Sequence, residues 1–466
     1  MNTLELTNYM GDDTICAVST PQGRGGIAVI RVSGNDALGI VQRRWQGKQL
    51  AGMESHTVHL GQLLDSTGDV LDQVVLTVYR APNSFTGEDV IELACHGSTW
   101  IQQQAIQTLI DAGCRHAMAG EFTRRAFANG RMDLSQAEAV ADVIEAQSRA
   151  AHHVALNQMR GRYSDELKGL REKLLHFTAL IELELDFSEE DVTFADRSEV
   201  SALAHEIHTL ISRLADSYRE GNAIRNGMPV AIVGQTNAGK STLLNALLGD
   251  DRALVSAIHG TTRDTIEDTV IMGGTLFRFI DTAGIRQSSD VVERMGIERT
   301  WQAIDKASVV LWVVDVTSAD TSMVHDILAR CNGKALIAVL NKTDLDDDIA
   351  ARSELKDLLP EGTPVVAISA KRDSDIEALR NLIVETATLP DVASDAVIVT
   401  NARHYQALTH ARDAIARAIT GLDSGLTGDL LDQDIRECLH WLGEITGEIT
   451  TDAILGEIFT RFCIGK

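Results

Sequence analysis

The run Gly234-Gln-Thr-Asn-Ala-Gly-Lys-Ser241 restricts what this chain can fold into more than any other segment. Pro229 and the apolar Val230-Ala-Ile-Val233 precede it, and Ser241-Thr-Leu-Leu-Asn-Ala-Leu-Leu follows, so a glycine-rich loop sits between a strand and a helix. Glycines let the backbone wrap a phosphate, and the amide N–H groups at the start of the helix face the anion. The expected nucleotide contacts are Asn237, Ala238, Gly239, Lys240, Ser241 and Thr242. Lys240 is expected to reach the β/γ oxygens and the Ser241 hydroxyl to ligate Mg²⁺. The alternative is a plain glycine turn, which the strand-loop-helix setting disfavours.

The base is read as guanine. Asn341-Lys342-Thr343-Asp344 follows the apolar Leu336-Ile-Ala-Val-Leu340. A carboxylate such as Asp344 accepts both N–H groups on guanine's Watson–Crick edge, whereas adenine presents it with an acceptor. GTP is therefore preferred over ATP. Ser369-Ala370-Lys371, after Val365-Val-Ala-Ile368, reads as the loop that closes over the guanine oxygen. Between these motifs, Thr262 in Gly260-Thr261-Thr262 is expected to close on Mg²⁺ and the γ-phosphate, and Asp281-Thr282-Ala283-Gly284 to supply a water-mediated Mg²⁺ carboxylate and a glycine N–H. Small signalling GTPases place a water-orienting glutamine next. Here the position is Ile285, so catalysis has to recruit another polar group or a cation. Asp290-Val-Val-Glu293-Arg294 is the nearest source, with a solvated charged helix start as the alternative reading.

At 466 residues the chain is too long for a nucleotide-binding domain alone. A net charge of −25, from 42 basic against 67 acidic residues, leaves no basic stripe for gripping a nucleic-acid backbone unaided. The six cysteines are scattered without metal-type spacing, as suits reduced thiols in a cytoplasmic protein. Neither an export signal nor a membrane anchor is expected. The fold class expected is multidomain α/β. Residues 1–130 mix short strands such as Ile27-Ala-Val-Ile-Arg31 and Val74-Val-Leu-Thr-Val78 with glycine turns, an α+β domain. Residues 131–220 turn helical, with Leu170, Leu174, Phe177, Ile181 and Leu185 on one face. Residues 221–388 alternate strand and helix, a P-loop domain with a mostly parallel sheet inserted into an all-helical domain that resumes over 389–466.

Several segments outside the GTPase set carry a resemblance. They are Thr20-Pro-Gln-Gly-Arg-Gly-Gly26 with Arg31-Val-Ser-Gly34, Asn83-Ser-Phe-Thr-Gly-Glu-Asp-Val-Ile-Glu92, Gly120-Glu-Phe-Thr-Arg-Arg-Ala-Phe127, Leu134-Ser-Gln-Ala-Glu138 and the terminal Phe462-Cys-Ile-Gly-Lys466. With them the chain resembles the MnmE/TrmE family of tRNA-modification GTPases over essentially its whole length. The resemblance implies a homodimer assembled through N-terminal domains similar to tetrahydrofolate-binding aminomethyltransferase domains. It also implies a flavoprotein partner, MnmG (GidA), in a heterotetramer. The two act on carbon 5 of the wobble uridine of tRNA, using a one-carbon unit of 5,10-methylene- or 5-formyl-tetrahydrofolate.

The family's folate contacts fall on Arg31, Glu92, Arg131 and Lys466, with Arg131 standing where the family has a lysine. Surface charges are the alternative reading for Arg31 and Arg131, and a strand-edge charge for Glu92. The resemblance also places K⁺ against Asn237 and the loop Ser256-Ala257-Ile258-His259-Gly260-Thr261, with Ser256, Ile258 and Thr261 among its ligands. The ion's charge replaces an arginine finger, for which Arg263 and Arg286 are the rivals. Glu293 matches the water-activating glutamate. Cys463 reads as a nucleophile or acid beside the folate and tRNA site, or as a small packed hydrophobe. Two other classes compete: a ribosome-assembly or other RNA-binding GTPase, and a stand-alone folate aminomethyltransferase. The first expects a basic appendage and the second leaves the GTPase without purpose.

Overall fold

The computed structural model describes residues 13–186, 197–249, 268–280, 293–318, 323–345, 356–387, 397–424, 426, 428–460, 462, 464 and 465. They divide into two compact units. One comprises Met1–Ile144, Leu156–Ser212 and Gln406–Lys466, the other Glu145–Ala155 and Arg213–Tyr405. The molecule is a multidomain α/β protein, with an α+β N-terminal domain, a helical domain and a GTPase domain whose sheet is mostly parallel.

In the first unit, strands β1 (Ile15–Val18), β2 (Ile27–Ser33), β3 (Trp45–Gln46), β4 (Thr57–Leu64), β5 (Val70–Tyr79), β6 (Val90–His96) and β7 (Arg115–His116) form one sheet in the order β3-β4-β5-β6-β2-β1-β7. Every pairing is antiparallel except β1 with β7. Alternation decides the faces. Val74, Leu76 and Val78 of β5 are buried with Ile30 and Val32 of β2 and Ile91 and Leu93 of β6, against Ala105 and Leu109 of the helix Thr99–Asp111. Positions of opposite parity, among them Arg31, Glu92 and Val75, lie on the other face. Helices dominate the rest of the unit. Leu170, Leu174, Phe177 and Ile181 of the helix Arg162–Asp186 are all buried, as their spacing predicts, while the side chain of Leu185 lies outside the described set. Leu134, Ala137 and Val140 of the helix Leu134–Glu145 pack with Leu455, Ile458, Phe459 and Phe462.

An ion network underlies the N-terminal sheet. Glu121, 1% exposed, accepts hydrogen bonds from Arg115 Nη1 at 3.0 Å, Arg125 Nη2 at 3.2 Å and the Met118 N–H at 2.8 Å. Arg125, 3% exposed, also donates to Asp13 and to Glu88 of the loop over residues 83–89. Burial raises the Glu121 pKa, but the Arg115 hydrogen bond, the Met118 N–H and the nearby guanidinium charges outweigh it and hold the carboxyl below the ordinary glutamate range. A depressed folded-state pKa stabilises above the unfolded value, roughly 4.3, and that contribution disappears as pH falls through the folded value. Glu121→Gln is expected to cost roughly 3 kcal/mol at pH 7, because it strands buried guanidinium charge. Urea unfolding of both proteins should show the gap narrowing as pH drops below that unfolded value of roughly 4.3. A gap independent of pH would mean that packing carries the cost.

In the second unit, β8 (Met228–Val233), β9 (Asp268–Met272), β10 (Thr275–Phe279), β11 (Val309–Asp315), β12 (Ala335–Asn341) and β13 (Val365–Ala367) are ordered β13-β12-β11-β8-β10-β9. All pairs are parallel except β10 with β9. Residues 309–314 of β11 are buried without alternation, as a central parallel strand covered on both faces requires. The carboxyl ends of β8, β11 and β12 converge, where open α/β sheets present ligands. Among the described residues no helix is long and apolar enough to cross a membrane.

Candidate functional site

Two groups of residues carry chemistry, one in each unit. In the second, the chain leaves β8 at Gly234, whose φ is +145° and where a Cβ would stand 2.2 Å from the Val313 carbonyl oxygen. Only glycine lets the loop pass so close over β11. Asn237 takes a left-handed φ of +66°, and Gly239, at +95°, opens the helix Lys240–Leu248. A Cβ on Gly239 would meet Asn341 Nδ2 at 2.2 Å, so this glycine admits the asparagine of the base motif. Lys240 Nζ donates to the carbonyls of Gly234 at 2.7 Å and Gln235 at 2.6 Å, which holds the ammonium within the loop. Burial lowers its pKa. A desolvated cation among N–H groups at a helix start is suited to phosphate oxygens.

Asn341 ties the loop to the segment after β13. Its side chain, 2% exposed, donates to the Ala238 carbonyl at 2.9 Å and accepts from the Ala370 N–H at 3.1 Å. Ser369 Oγ donates to Asp344 Oδ1 at 2.8 Å, and the Lys371 ammonium lies 3.5 Å from Asp344 Oδ2. The Ser369 hydrogen bond, with Lys371 adding to it, holds the Asp344 carboxyl below the ordinary aspartate range, so it acts as acceptor only. The Ser369 N–H is itself anchored by Asp375 Oδ2 at 2.8 Å, and the Thr343 N–H donates to the Ile368 carbonyl. Lys342, with φ at +71°, pairs with Asp315 Oδ2 at 2.6 Å.

The fold thus brings residues 237–242, Asn341, Lys342, Asp344, Ser369, Ala370 and Lys371 to one end of the sheet. Residues 256–262 and 281–284 lie outside the described residues. Glu293 begins the helix Glu293–Lys306, and its side chain is likewise outside. Sequence reasoning missed Asp315 and Asp375. Asp315 carried a legible signal, since an acidic residue ends an unbroken apolar strand at the ligand-bearing edge.

In the first unit, Arg31 and Glu92 are register partners on β2 and β6. Glu92 Oε1 accepts from Arg31 Nη2 at 2.8 Å and Nε at 3.0 Å, and Oε2 accepts a longer bond from the Tyr79 hydroxyl at 3.4 Å. The guanidinium lies between the rings of Phe85 and Phe122, at 5.3 and 5.6 Å. The loop carrying Phe85 is held by the Ser33 hydroxyl, which donates to Glu88 Oε2 at 2.7 Å, and by Asn129 Nδ2, which donates to the Thr86 carbonyl at 2.7 Å. Arg131 is exposed, its stem beside Gly87 of that loop. Cys463 and Lys466 lie outside the described residues. Their neighbours are docked: Ile464 bridges Ala119, and Ser19 Oγ donates to the Gly465 carbonyl at 3.1 Å. Gly465 has φ of +98° and passes so close to Val18 that a Cβ would stand 2.3 Å from its carbonyl oxygen.

Family models match both halves of this arrangement. The model described as GTP-binding protein TrmE N-terminus matches residues 14–131, and the one described as MnmE helical domain matches residues 134–463. A tRNA modification GTPase MnmE of Bacteroides thetaiotaomicron is 53% identical, covering 98% of this chain and 100% of its own. Counterparts of the same name from Parabacteroides distasonis and Cytophaga hutchinsonii are 52% and 48% identical, covering 97% and 100% of this chain and all of their own. These matches run through the phosphate loop and the Arg31–Glu92 pair alike, and the chain belongs to the MnmE family of tRNA modification GTPases.

Proposed function

We propose that this GTP-hydrolysing enzyme works as a homodimer with the flavoprotein MnmG (GidA), in a heterotetramer. It adds a carboxymethylaminomethyl or aminomethyl group to carbon 5 of the wobble uridine of tRNA. The observation that carries the proposal is the Arg31–Glu92 pair, set on a sheet face rather than paired across open surface. Its carboxylate keeps a weakly engaged oxygen, Oε2, for N–H donors such as those of a pterin edge. Arg31, fixed by two rings and Glu92, keeps that carboxylate oriented. Bound tetrahydrofolate, as the 5,10-methylene or 5-formyl species, supplies the one-carbon unit. Arg131 and Lys466 would meet its carbonyls or carboxylates. Exposed Val58 and Leu60 of β4, with Val75 opposite Leu60 on β5, give the same sheet an apolar stripe that supports self-association.

In the nucleotide site, residues 237–242 and the Lys240 ammonium hold the phosphates, and Asp344 with residues 369–371 selects guanine. Ser241 and Thr262 would hold Mg²⁺, with Asp281 to Gly284 closing on the γ-phosphate. Asn237, Ser256, Ile258 and Thr261 would hold K⁺, whose charge supplies the stabilisation that an arginine gives elsewhere. Glu293 orients the attacking water, and Cys463 serves the modification chemistry rather than hydrolysis. The deciding test is nucleoside analysis of tRNA from a deletion strain, complemented with the native gene or with Glu92→Gln. Loss of the carbon-5 modification in the deletion, restored by the native gene alone, is the expected result. Unchanged wobble uridines in the deletion strain would reject the proposal.

A further inference from the structure

The ion pair between Lys342 and Asp315 has a geometry that local structure does not require. Strands β11 and β12 run parallel with Asp315 opposite Asn341, so both side chains lie on the sheet face that carries Val313 and Val339 and packs Leu243 and Leu247 of the helix Lys240–Leu248. Alternation would send the next residue, Lys342, to the opposite face. Its φ of +71° breaks the alternation, and its ammonium meets Asp315 Oδ2 at 2.6 Å. An L-residue adopts that φ at a cost in free energy, and such positions gather at ligand sites. The two oxygens of Asp315 have separate partners. Oδ1 accepts from the Thr317 N–H at 3.0 Å and from the Thr317 hydroxyl at 2.8 Å, which closes the turn that ends β11. That turn is complete without Oδ2, which takes the lysine. Burial pushes the Asp315 pKa up, but the hydrogen bonds from Lys342 and Thr317 outweigh it and hold the carboxyl below the ordinary aspartate range. Among the described residues the ammonium has no other partner.

The lysine stem thus spans from the end of β12 to the end of β11. On one side the glycine-rich loop crosses β11 at Gly234, against the Val313 carbonyl two residues before Asp315. On the other, two residues beyond Lys342, stands Asp344 with its hydrogen bond from Ser369. The Lys342 side chain keeps 29% of its surface open. A row of methylenes stretched between two fixed ends is an apolar surface suited to the face of an aromatic ring whose edge is read elsewhere. We propose that Asp315 is a positioning residue for nucleotide binding: by pinning the Lys342 ammonium it sets the lysine stem against the face of the purine while Asp344 reads the edge. The inference rests on the guanine reading given above. Without the pin the four-carbon stem samples several rotamers, and a nucleotide has to order it on binding.

The test is titration of the full-length protein with GTP and with inosine triphosphate, which lacks the 2-amino group and so offers Asp344 one N–H in place of two. The native protein is expected to prefer GTP. Asp315→Asn keeps an oxygen for Thr317 and turns an amide NH₂ toward the ammonium, so the turn survives and the pin is lost. It is expected to weaken both nucleotides roughly tenfold, the cost of ordering one long side chain, with the preference for GTP unchanged. Lys342→Met, which keeps a straight stem without the charge, is expected to show a similar loss, and adding Asp315→Asn to it is expected to cost nothing further. Unchanged affinities in Asp315→Asn overturn the assignment. So does a second tenfold loss when Asp315→Asn is added to Lys342→Met, since the carboxylate would then act through something other than the lysine. A preference for GTP that collapses in Asp315→Asn overturns it as well, because the effect would lie on the edge of the base. Each of these results leaves the guanine reading in place. A native protein that binds the two nucleotides equally overturns that reading itself.

Discussion

Asp344→Asn is expected to lower GTP affinity by roughly 10³-fold while xanthosine triphosphate regains much of the loss, because the substitution exchanges a two-lone-pair acceptor for an amide. The carboxylate is held ionised by the Ser369 hydroxyl and then by the Lys371 ammonium. In the proposed reading it accepts both N–H groups of the guanine edge, and one of those contacts becomes donor against donor in the variant. Xanthine carries a carbonyl where guanine carries its amino group, so the new amide donates to it. The local fold should survive, since the oxygen of the introduced amide can still accept from Ser369 Oγ and the Ser369 N–H keeps its bond to Asp375. Titration of both nucleotides into both proteins checks this. Equal loss for the two bases would remove Asp344 from base recognition.

What the sequence made legible follows from how local each cause is. Phosphate-loop glycines, the strand before them and the helix after them act within a few residues of one another. Parallel strands buried on both faces announce themselves as unbroken apolar runs, as β11 and β12 do. The alternation in β5 likewise marks one face as core. The antiparallel pair β9–β10 escaped notice, although Gly273-Gly274 between them, with φ of +57° and +79°, is the turn chemistry of a tight hairpin. The motifs around it read as a uniform strand-helix alternation and concealed it. Less accessible were features whose partners are far apart in the chain. Arg125 reaches Asp13 and Glu88, and Phe85 and Phe122 flank Arg31, through contacts that no spacing rule encodes. The Asp72–His96 pair is of the same kind, since nothing in either neighbourhood marks the two residues as bonded.

The second large effect is expected from Asn341→Ala. The asparagine sits in a base-recognition motif, yet its side chain spends its hydrogen bonds inside the protein, donating to the Ala238 carbonyl and accepting from the Ala370 N–H. It is the strut between the glycine-rich loop and residues 369–371, which in the proposed reading close over the base, and Gly239 gives it room. Alanine leaves a buried carbonyl and a buried N–H unpaired, at about 1–3 kcal/mol each. Part of that cost is expected as lower domain stability. The remainder should appear as a roughly 10²-fold loss of GTP affinity, because the phosphate and base subsites would no longer be held at a fixed separation and binding would have to order them. Asn341→Asp sharpens the test: it still accepts from Ala370 but sets a carboxylate oxygen against the Ala238 carbonyl, so it should be the worse of the two. Denaturant titration beside nucleotide titration separates the parts. If Asn341→Ala lowers stability and leaves affinity for GTP and for guanosine unchanged, the strut serves folding only; if GTP weakens far more than guanosine does, it is the alignment of the two loops that the asparagine maintains.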